Sequence, residues 1–464
     1  MLGKVFKAYD IRAIYPKPLN ERLAWQIGYA AGQYLTEQAD DAGYDDPMMR
    51  HIVVGRDMRL SSPALVRALE DGIRDSGAHV IDVGLVDTPF IYFAINHLGC
   101  CGGIQTTASH NPANYNGFKI SKIGARPVGG PTGLDEIRRY AAIAVREKVV
   151  PKGGREQERD LWDAYREHVH RFLDPALIDG SRTVRVVVDA SNGMAGTMFP
   201  RVFGDVEGLK ITPLNFENSS GTFVHEANPL IESNLEQVRE GVLAVEADFG
   251  ICFDGDADRC MVVDEKADIV SCDLLTAWLA QGFLRERPGA AVVYDLRSSK
   301  ALGEMITEAG GRPVKSRVGH VFVKQAMAEN DAVFGGELSG HFYFRDNFFA
   351  DSGAIAFAAV ASALVRAGTS ISAQIAPARR YVHSGEINFQ TDDKHAALAD
   401  LKRAYRGAKI EELDGVTLDL GKWWCNVRMS NTEPLLRLNL EGPDRKTVDA
   451  RVEEIAEYLG QRVA

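Results

Sequence analysis

FGICFDGDADRCMVVD, residues 249–264, places three aspartates (Asp254, Asp256, Asp258) between an apolar run, GICF, and a second one, CMVV. Short apolar runs bounded by a polar turn read as strands buried on both faces. The same order of strand, glycine-containing polar loop and strand recurs in GGIQTTASHNPANYNGFKIS (102–121) and AVFGGELSGHFYF (332–344). Before each copy stands a β-branched run ending in a polar turn and then a helical stretch. These are HIVVGRDMRLSS (51–62), VRVVVDASNGMAG (184–196) and AVVYDLRSSKAL (291–302). After Ser62, the i, i+4, i+8 spacing of Leu65, Leu69 and Ile73 gives that helix one apolar stripe. Three copies of one order predict three related α/β domains with mixed sheets between helices.

The 464 residues are too many for one core, which stops growing at about 250–300 residues. Linkers are expected at VVPKGGREQ (149–157) and AGTSISAQIAPARR (367–380), and a boundary near 265. From about 376 the tail alternates strand-like runs (EINFQ, VTLDL, LLRLNLE) with helical ones. The last helix, 444–459, places Val448, Val452, Ile455 and Leu459 on one face, and the tail reads as a smaller α+β domain. The expected division is therefore 1–150, 151–265, 266–372 and 376–464.

A net charge of −11, from 53 Lys plus Arg against 64 Asp plus Glu, argues against nucleic acid or a membrane surface as partner. An anionic substrate then has to be held by a few inward-pointing cations. The first residues carry no signal-peptide core, and Ala354 to Val365 is too short to span a bilayer, so it reads as a buried helix. The six cysteines form no CxxC pair and no zinc spacing, which points to a reduced, cytoplasmic protein.

Three carboxylates as close as those of DGDADR repel unless a cation or a proton offsets them, and hard oxygen donors suit magnesium or calcium. An EF-hand is excluded because Arg259 stands where glycine is required and the flanks are strands. A phosphatase with Asp254 as nucleophile is the competing reading. In TTASHNP (106–112), Ser109 beside His110 is a candidate nucleophile, with Lys119 close enough in sequence to hold an anion; turn hydrogen bonding is the plainer alternative. GGELSGH (335–341) offers Glu337, Ser339 and His341, groups that suit vicinal sugar hydroxyls. RMSNTEPLLRL (428–438) sets Ser430, Asn431 and Thr432 between Arg428 and Arg437, which reads either as an anion nest flanked by guanidinium groups or as a helix N-cap followed by a charged strand.

Taken in order, TASHNP, DGDADR, GELSGH and SNTEP resemble the α-D-phosphohexomutase superfamily over essentially the whole chain from Tyr9. GELSGH is most similar to the phosphomannomutase and dual phosphomannomutase/phosphoglucomutase versions; phosphoglucosamine mutases tend to carry Gln at the Leu338 place. The resemblance implies four domains around a central cleft, one loop from each. Ser109 would carry a phosphoryl group and give it to a hexose 1-phosphate, and the bisphosphorylated sugar would turn over and return its other phosphate. The net reaction is mannose 1-phosphate to mannose 6-phosphate, with glucose phosphates also accepted. The alternatives are a phosphoglucosamine mutase or a sugar phosphatase.

The implied cofactors are Mg2+, on Ser109, Asp254, Asp256 and Asp258, and a hexose 1,6-bisphosphate primer. Tyr9, Arg12, His110 and Arg259 would lie beside the phosphoserine and sugar, and Lys119 and His320 would be the acid and base. Glu337, Ser339 and His341 would hold the sugar, and Arg297, Arg428, Ser430, Asn431, Thr432 and Arg437 the phosphate and substrate. Two positions depart from the family pattern: Arg297 where some relatives carry Lys, and Met429 where Pro or Ala is commoner. Small sugar phosphates are the expected partners, and a monomer or dimer the expected state.

Overall fold

A computed structural model describes residues 2–430 and 435–463. The chain forms two compact units, Met1–Val270 with Ser339–Ala373, and Ser271–Leu338 with Gln374–Ala464.

In the first unit, the strand His51–Arg56 lies between Gly102–Thr106 and His79–Leu85, all parallel, and Tyr115–Lys122 and Ile11–Ile14 extend the sheet antiparallel. The helix Ser62–Ser76 buries Leu65, Leu69 and Ile73 completely, as the stripe predicts. A second sheet runs Ile269–Val270, Cys260–Asp264, Phe249–Phe253, Val184–Asp189, Leu209–Leu214, mixed in the same way. The aspartate loop is thus the turn of a hairpin whose strands are buried at every residue. The end of the stretch read as the first linker forms the strand Glu156–Glu158 on the edge of the first sheet. Edge pairing uses backbone groups alone, so the sequence EQE carries no apolar signal of it.

The apolar run at 354–365 forms the helix Gly353–Ala367, buried along most of its length. Its Phe357 ring sits 4.8 Å from Phe199 and 4.7 Å from Phe203, which ties the segment to the core of the first unit. Before it, Phe342–Phe344 and Ala350–Asp351 make a short antiparallel hairpin.

The second unit holds three parallel strands, Arg312–Ser316, Ala291–Asp295 and Phe334–Gly336. It also holds an antiparallel six-stranded sheet, in the order Lys409–Glu411, Val416–Asp419, Trp424–Met429, Leu435–Gly442, Val382–Gln390, Gln461–Val463. The helix Arg445–Leu459 packs Val448, Val452, Ile455 and Leu459 onto that sheet, as its spacing predicts. All six cysteines are buried free thiols. No single helix among the described residues is long and apolar enough to cross a membrane.

One buried carboxyl gives the first unit a pH dependence. Glu70 is 4% exposed on the helix Ser62–Ser76, and its Oε1 has no hydrogen-bond partner. Burial, then the nearby Asp82 and Glu156 charges, push its carboxyl up to about 8. The folded state therefore keeps a proton that an unfolded glutamate, with a value of 4.5, gives up earlier. Stability from this group is complete below pH 4.5 and is lost as pH rises toward 8. Glu70→Gln removes the titration. Urea unfolding is expected to show the variant about 2–4 kcal/mol more stable than the parent at pH 9 and little changed near pH 5.

Candidate active site

Ser109 sits in the loop between Gly102–Thr106 and Tyr115–Lys122, fully buried, with its backbone in the left-handed region at φ 51°. A serine holds that conformation only where the surroundings enforce it, and Arg59 does so. Its guanidinium donates to the carbonyls of Ser109 (2.8 Å), Asn111 (2.7 Å), Pro112 (2.7 Å) and Tyr115 (3.1 Å), and to the Asp57 carboxylate (3.0 Å). These acceptors engage its Nε and both terminal nitrogens, and only a planar fork of donors can serve them together.

The Ser109 hydroxyl donates to Asp254 Oδ2 at 2.8 Å, and His110 Nδ1 lies 3.3 Å from Ser109 Oγ. The two loops meet closely: a Cβ on Gly255 would come within 2.4 Å of the Ser109 carbonyl oxygen. Asp254, Asp256 and Asp258 are all buried, and their ligand oxygens lie within 4.8 Å of one another. Lys119 Nζ donates to Asp256 Oδ2 (2.7 Å) and Asp258 Oδ2 (2.5 Å), and the Thr88 hydroxyl also reaches Asp256 Oδ2 (2.5 Å). Asp256 Oδ1 and Asp258 Oδ1 are buried without a hydrogen-bond partner. Hard donors with orphaned oxygens in one cluster fit a divalent cation such as magnesium.

Charge governs this cluster. Burial, then the Asp258 and Asp256 charges, raise the Asp254 carboxyl far above the usual carboxylate range. Against its own burial, Asp258 is held far below that range by Lys119 and His341. Lys119 is likewise held protonated by Asp256 and Asp258 despite burial. Burial and the cations Arg259, Arg12 and Lys119 push His110 down to about 2, so its imidazole is neutral.

Arg259 donates its backbone N–H to Asp254 Oδ1 (3.2 Å), with Nε 3.8 Å from Asp254 and 4.0 Å from Asp258. Its backbone pairs with that of His341 in an isolated antiparallel β-bridge, and His341 Nε2 is 3.5 Å from Asp258 Oδ1 and its Nδ1 2.9 Å from the Ser339 hydroxyl. Arg12, on the strand Ile11–Ile14, reaches the Asn111 side chain and Asp10. Tyr9 is half-buried just before that strand.

The GELSGH loop crosses the boundary between the units, with Glu337 in the second and Ser339 and His341 in the first. Glu337 Oε1 accepts from the Gly319 N–H (2.9 Å), directly before His320, the first residue of the helix His320–Glu329. Arg297 grips Asp295 side-on, through Nε (3.1 Å) and Nη2 (2.9 Å), a geometry that Lys does not reproduce. Arg428 and Arg437 stand opposite each other on neighbouring strands. Ser430 is buried, its N–H donating to Leu435 O (2.9 Å). Met429 packs onto the core of that sheet. Asn431 and Thr432 lie outside the described residues.

The first unit therefore gathers Arg12, Ser109, His110, Lys119, Asp254, Asp256, Asp258, Arg259, Ser339 and His341, and the second gathers Arg297, Arg428 and Arg437 around one carboxylate. Sequence reasoning missed Asp57, Arg59, Thr88, Ser191 and Glu386. Ser191 donates to Phe253 O (2.6 Å), one residue before the aspartate loop begins. A signal for three of them lay in the repeats themselves: Asp57, Asp189 and Asp295 occupy the same place at the end of each β-branched run, two residues before Arg59, Ser191 and Arg297.

Family models for phosphoglucomutase/phosphomannomutase match the chain in four parts. These are α/β/α domain I (residues 3–142), domain II (163–267), domain III (272–381) and the C-terminal domain (386–458). A phosphomannomutase of Salmonella montevideo is 37% identical over 464 residues, 98% of each chain. A protein of Xanthomonas campestris pv. campestris described as phosphohexose mutases is 39% identical over 469 residues, again 98% of each. A solved phosphoglucomutase/phosphomannomutase family protein from Burkholderia thailandensis superposes with a TM-score of 0.86 at 31% identity, covering 98% of this chain and 96% of its own.

Replacing Arg59 by Met strands the buried Asp57 charge and frees the serine loop. Chemical denaturation is expected to show a loss of about 3–5 kcal/mol.

Proposed function

Because the chain belongs to the phosphoglucomutase/phosphomannomutase family, whose members are isomerases that move a phosphoryl group within a sugar, we propose that it interconverts mannose 1-phosphate and mannose 6-phosphate. Glucose 1- and 6-phosphates are its further substrates. The observation that carries this reading is the contact between the buried Ser109 hydroxyl and Asp254 (2.8 Å), inside a cluster of three carboxylates and Lys119.

In this reading Ser109 is phosphorylated by a hexose 1,6-bisphosphate primer and passes its phosphoryl group to the free hydroxyl of the substrate. The bond from Ser109 Oγ to phosphorus breaks as the sugar oxygen bonds to phosphorus, and the sugar hydroxyl gives up its proton. The bisphosphorylated sugar then turns over and returns its other phosphate to Ser109. Transfer of this kind needs positioning and charge neutralisation above all. Asp254, Asp256 and Asp258, with the phosphoserine, would hold Mg2+, which when bound draws charge from the phosphoryl oxygens. Arg12 and Arg259 offset the remaining charge, and His110, neutral at its position, leaves their field intact.

Lys119 and His320 are the proton-handling groups in this reading. Glu337, Ser339 and His341 take sugar hydroxyls, Tyr9 flanks the sugar, and Arg297, Arg428, Ser430, Asn431, Thr432 and Arg437 hold the phosphate that does not react. The enzyme is read as cytoplasmic, acting on small sugar phosphates as a monomer or dimer.

A phosphatase using Asp254 is disfavoured by the same geometry. Both carboxylate oxygens are engaged, Oδ2 by the Ser109 hydroxyl and Oδ1 by the Arg259 N–H. The test is a mutase assay with mannose 1-phosphate, Mg2+ and a trace of hexose 1,6-bisphosphate. Mannose 6-phosphate without stoichiometric free phosphate is expected, whereas free phosphate as the main product overturns the reading. Ser109→Ala is expected to lower turnover at least about 1,000-fold while calorimetry still detects mannose 6-phosphate binding. Undiminished turnover in that variant refutes the phosphoserine.

A further inference from the structure

Two arginines stand directly opposite one another on adjacent antiparallel strands of the C-terminal sheet, Arg428 on Trp424–Met429 and Arg437 on Leu435–Gly442. Like charges in that register repel and weaken the pairing unless an anion lies between them. The anion is Glu386. Its Oε2 accepts from Arg428 Nη2 at 2.7 Å and its Oε1 from Arg437 Nη1 at 3.1 Å, and Arg297 Nη1 lies 3.8 Å from Oε2. Arg297 itself is already matched by Asp295, and among the described residues Glu386 is a carboxylate that Arg428 and Arg437 share.

The backbone is shaped to aim this side chain. The pairing of Val382–Gln390 with Leu435–Gly442 slips between His383 and Glu386, and Gly385 inside the slip has φ 71°. The Ser384 hydroxyl takes the Leu440 N–H (2.9 Å) within the irregularity. A bulge re-aims the residue that follows it, and here that residue is Glu386. Although burial opposes its charge, Arg428, then Arg437 and Arg297, hold its carboxyl below the usual range.

We propose that Glu386 is an internal competitor for the phosphate group that Arg428 and Arg437 bind, occupying their N–H donors until a phosphate displaces it. This rests on the reading above that these arginines grip the non-reacting phosphate. A phosphate dianion carries more charge than a carboxylate and offers more acceptor oxygens, so it prevails when present. When it departs, the carboxylate restores a charge-assisted partner to both guanidinium groups. A mutase whose bisphosphorylated intermediate presents first one phosphate and then the other must release this grip once in every cycle. A resident carboxylate stabilises the released state and keeps the grip moderate.

The experiment is calorimetric titration of mannose 6-phosphate into the full-length chain in a Ser109→Ala background, so that turnover does not intervene. Glu386→Gln, Glu386→Asp and Arg428→Ala are compared, with thermal melting to verify folding. Glu386→Gln is expected to bind about 10-fold tighter, Glu386→Asp to fall between it and the parent, and Arg428→Ala to bind at least about 10-fold weaker. With Ser109 intact, Glu386→Gln is expected to lower KM and kcat together, the mark of release made harder. If Arg428→Ala weakens binding but Glu386→Gln binds equally or less tightly, Glu386 only orients the arginines and the competitor proposal is overturned. If Arg428→Ala leaves binding unchanged, the phosphate reading of the arginine pair fails, and this proposal with it. Should Glu386→Gln not fold, Glu386→Asp decides: binding no tighter than the parent overturns the proposal.

Discussion

An aspartate at the C-terminal end of a buried parallel strand is the interaction on which the loops depend. It occurs three times. Asp57, Asp189 and Asp295 each accept the backbone N–H of the residue two places on, at 3.0, 2.8 and 2.8 Å. Each turn then reaches the loop that carries its repeat's chemistry. Arg59 holds the Ser109 loop by four carbonyls, Ser191 holds Phe253 O just before the aspartate loop, and Asp295 itself accepts from Leu338 N–H (2.8 Å) in GELSGH. The carboxylates are buried, and a buried charge left without partners costs far more than a hydrogen bond yields. That penalty makes the local turn and the distant loop conditional on each other, which a flexible surface loop cannot achieve.

Electrostatics couples the repeats in a second way. Two unit charges 4 Å apart interact by about 4 kcal/mol at an effective dielectric of 20. Three aspartates within 4.8 Å of one another therefore cannot all be ionised and buried without outside help. Part of that help comes from the first repeat: Lys119 contributes an ammonium and Thr88 a hydroxyl to the Asp256 carboxylate, while the Thr88 backbone N–H donates to the Asp256 main-chain carbonyl. The serine loop and the aspartate loop are thus one electrostatic object although 145 residues separate Ser109 from Asp254. The close approach of Gly255 to the Ser109 carbonyl shows the steric side of the same arrangement.

The parts of this that were legible in the sequence were those carried by side-chain pattern. Apolar runs fixed by burial on two faces marked the strands at 51–56, 184–189 and 291–295, and the Leu65, Leu69, Ile73 stripe marked the helix behind the first. The ordered polar loops marked Ser109, the aspartates and the arginine pair. What escaped was carried by backbone or by partners remote in sequence. The strand Glu156–Glu158 pairs through its amides and buries no side-chain face. Arg59 looks like any surface arginine until its five acceptors, four of them carbonyls, are seen in space. Glu386 sits in EINFQ, an alternating strand whose apolar Ile387 and Phe389 explain the fold, and nothing in the pattern sets Glu386 apart from its polar neighbours Asn388 and Gln390. The segment 339–373 belongs by contact with the first unit, because Phe357 finds its partners in Phe199 and Phe203; nothing in a linear pattern says which core an apolar helix will join.

The two units treat charge in mirrored fashion. In the first, anions are concentrated and a lysine from another sheet answers them; in the second, cations are concentrated and a glutamate from the same sheet answers them. Stability alone does not account for these concentrations: in the first unit, where the groups are buried, apolar packing in their place is often neutral or stabilising. Their persistence in an acidic protein of net charge −11 makes sense for a chain whose substrate is itself highly charged. Groups that must seize a charged ligand and then release it need a partner in both states, and one supplied by the chain itself keeps the empty state low enough in free energy for release to compete with binding.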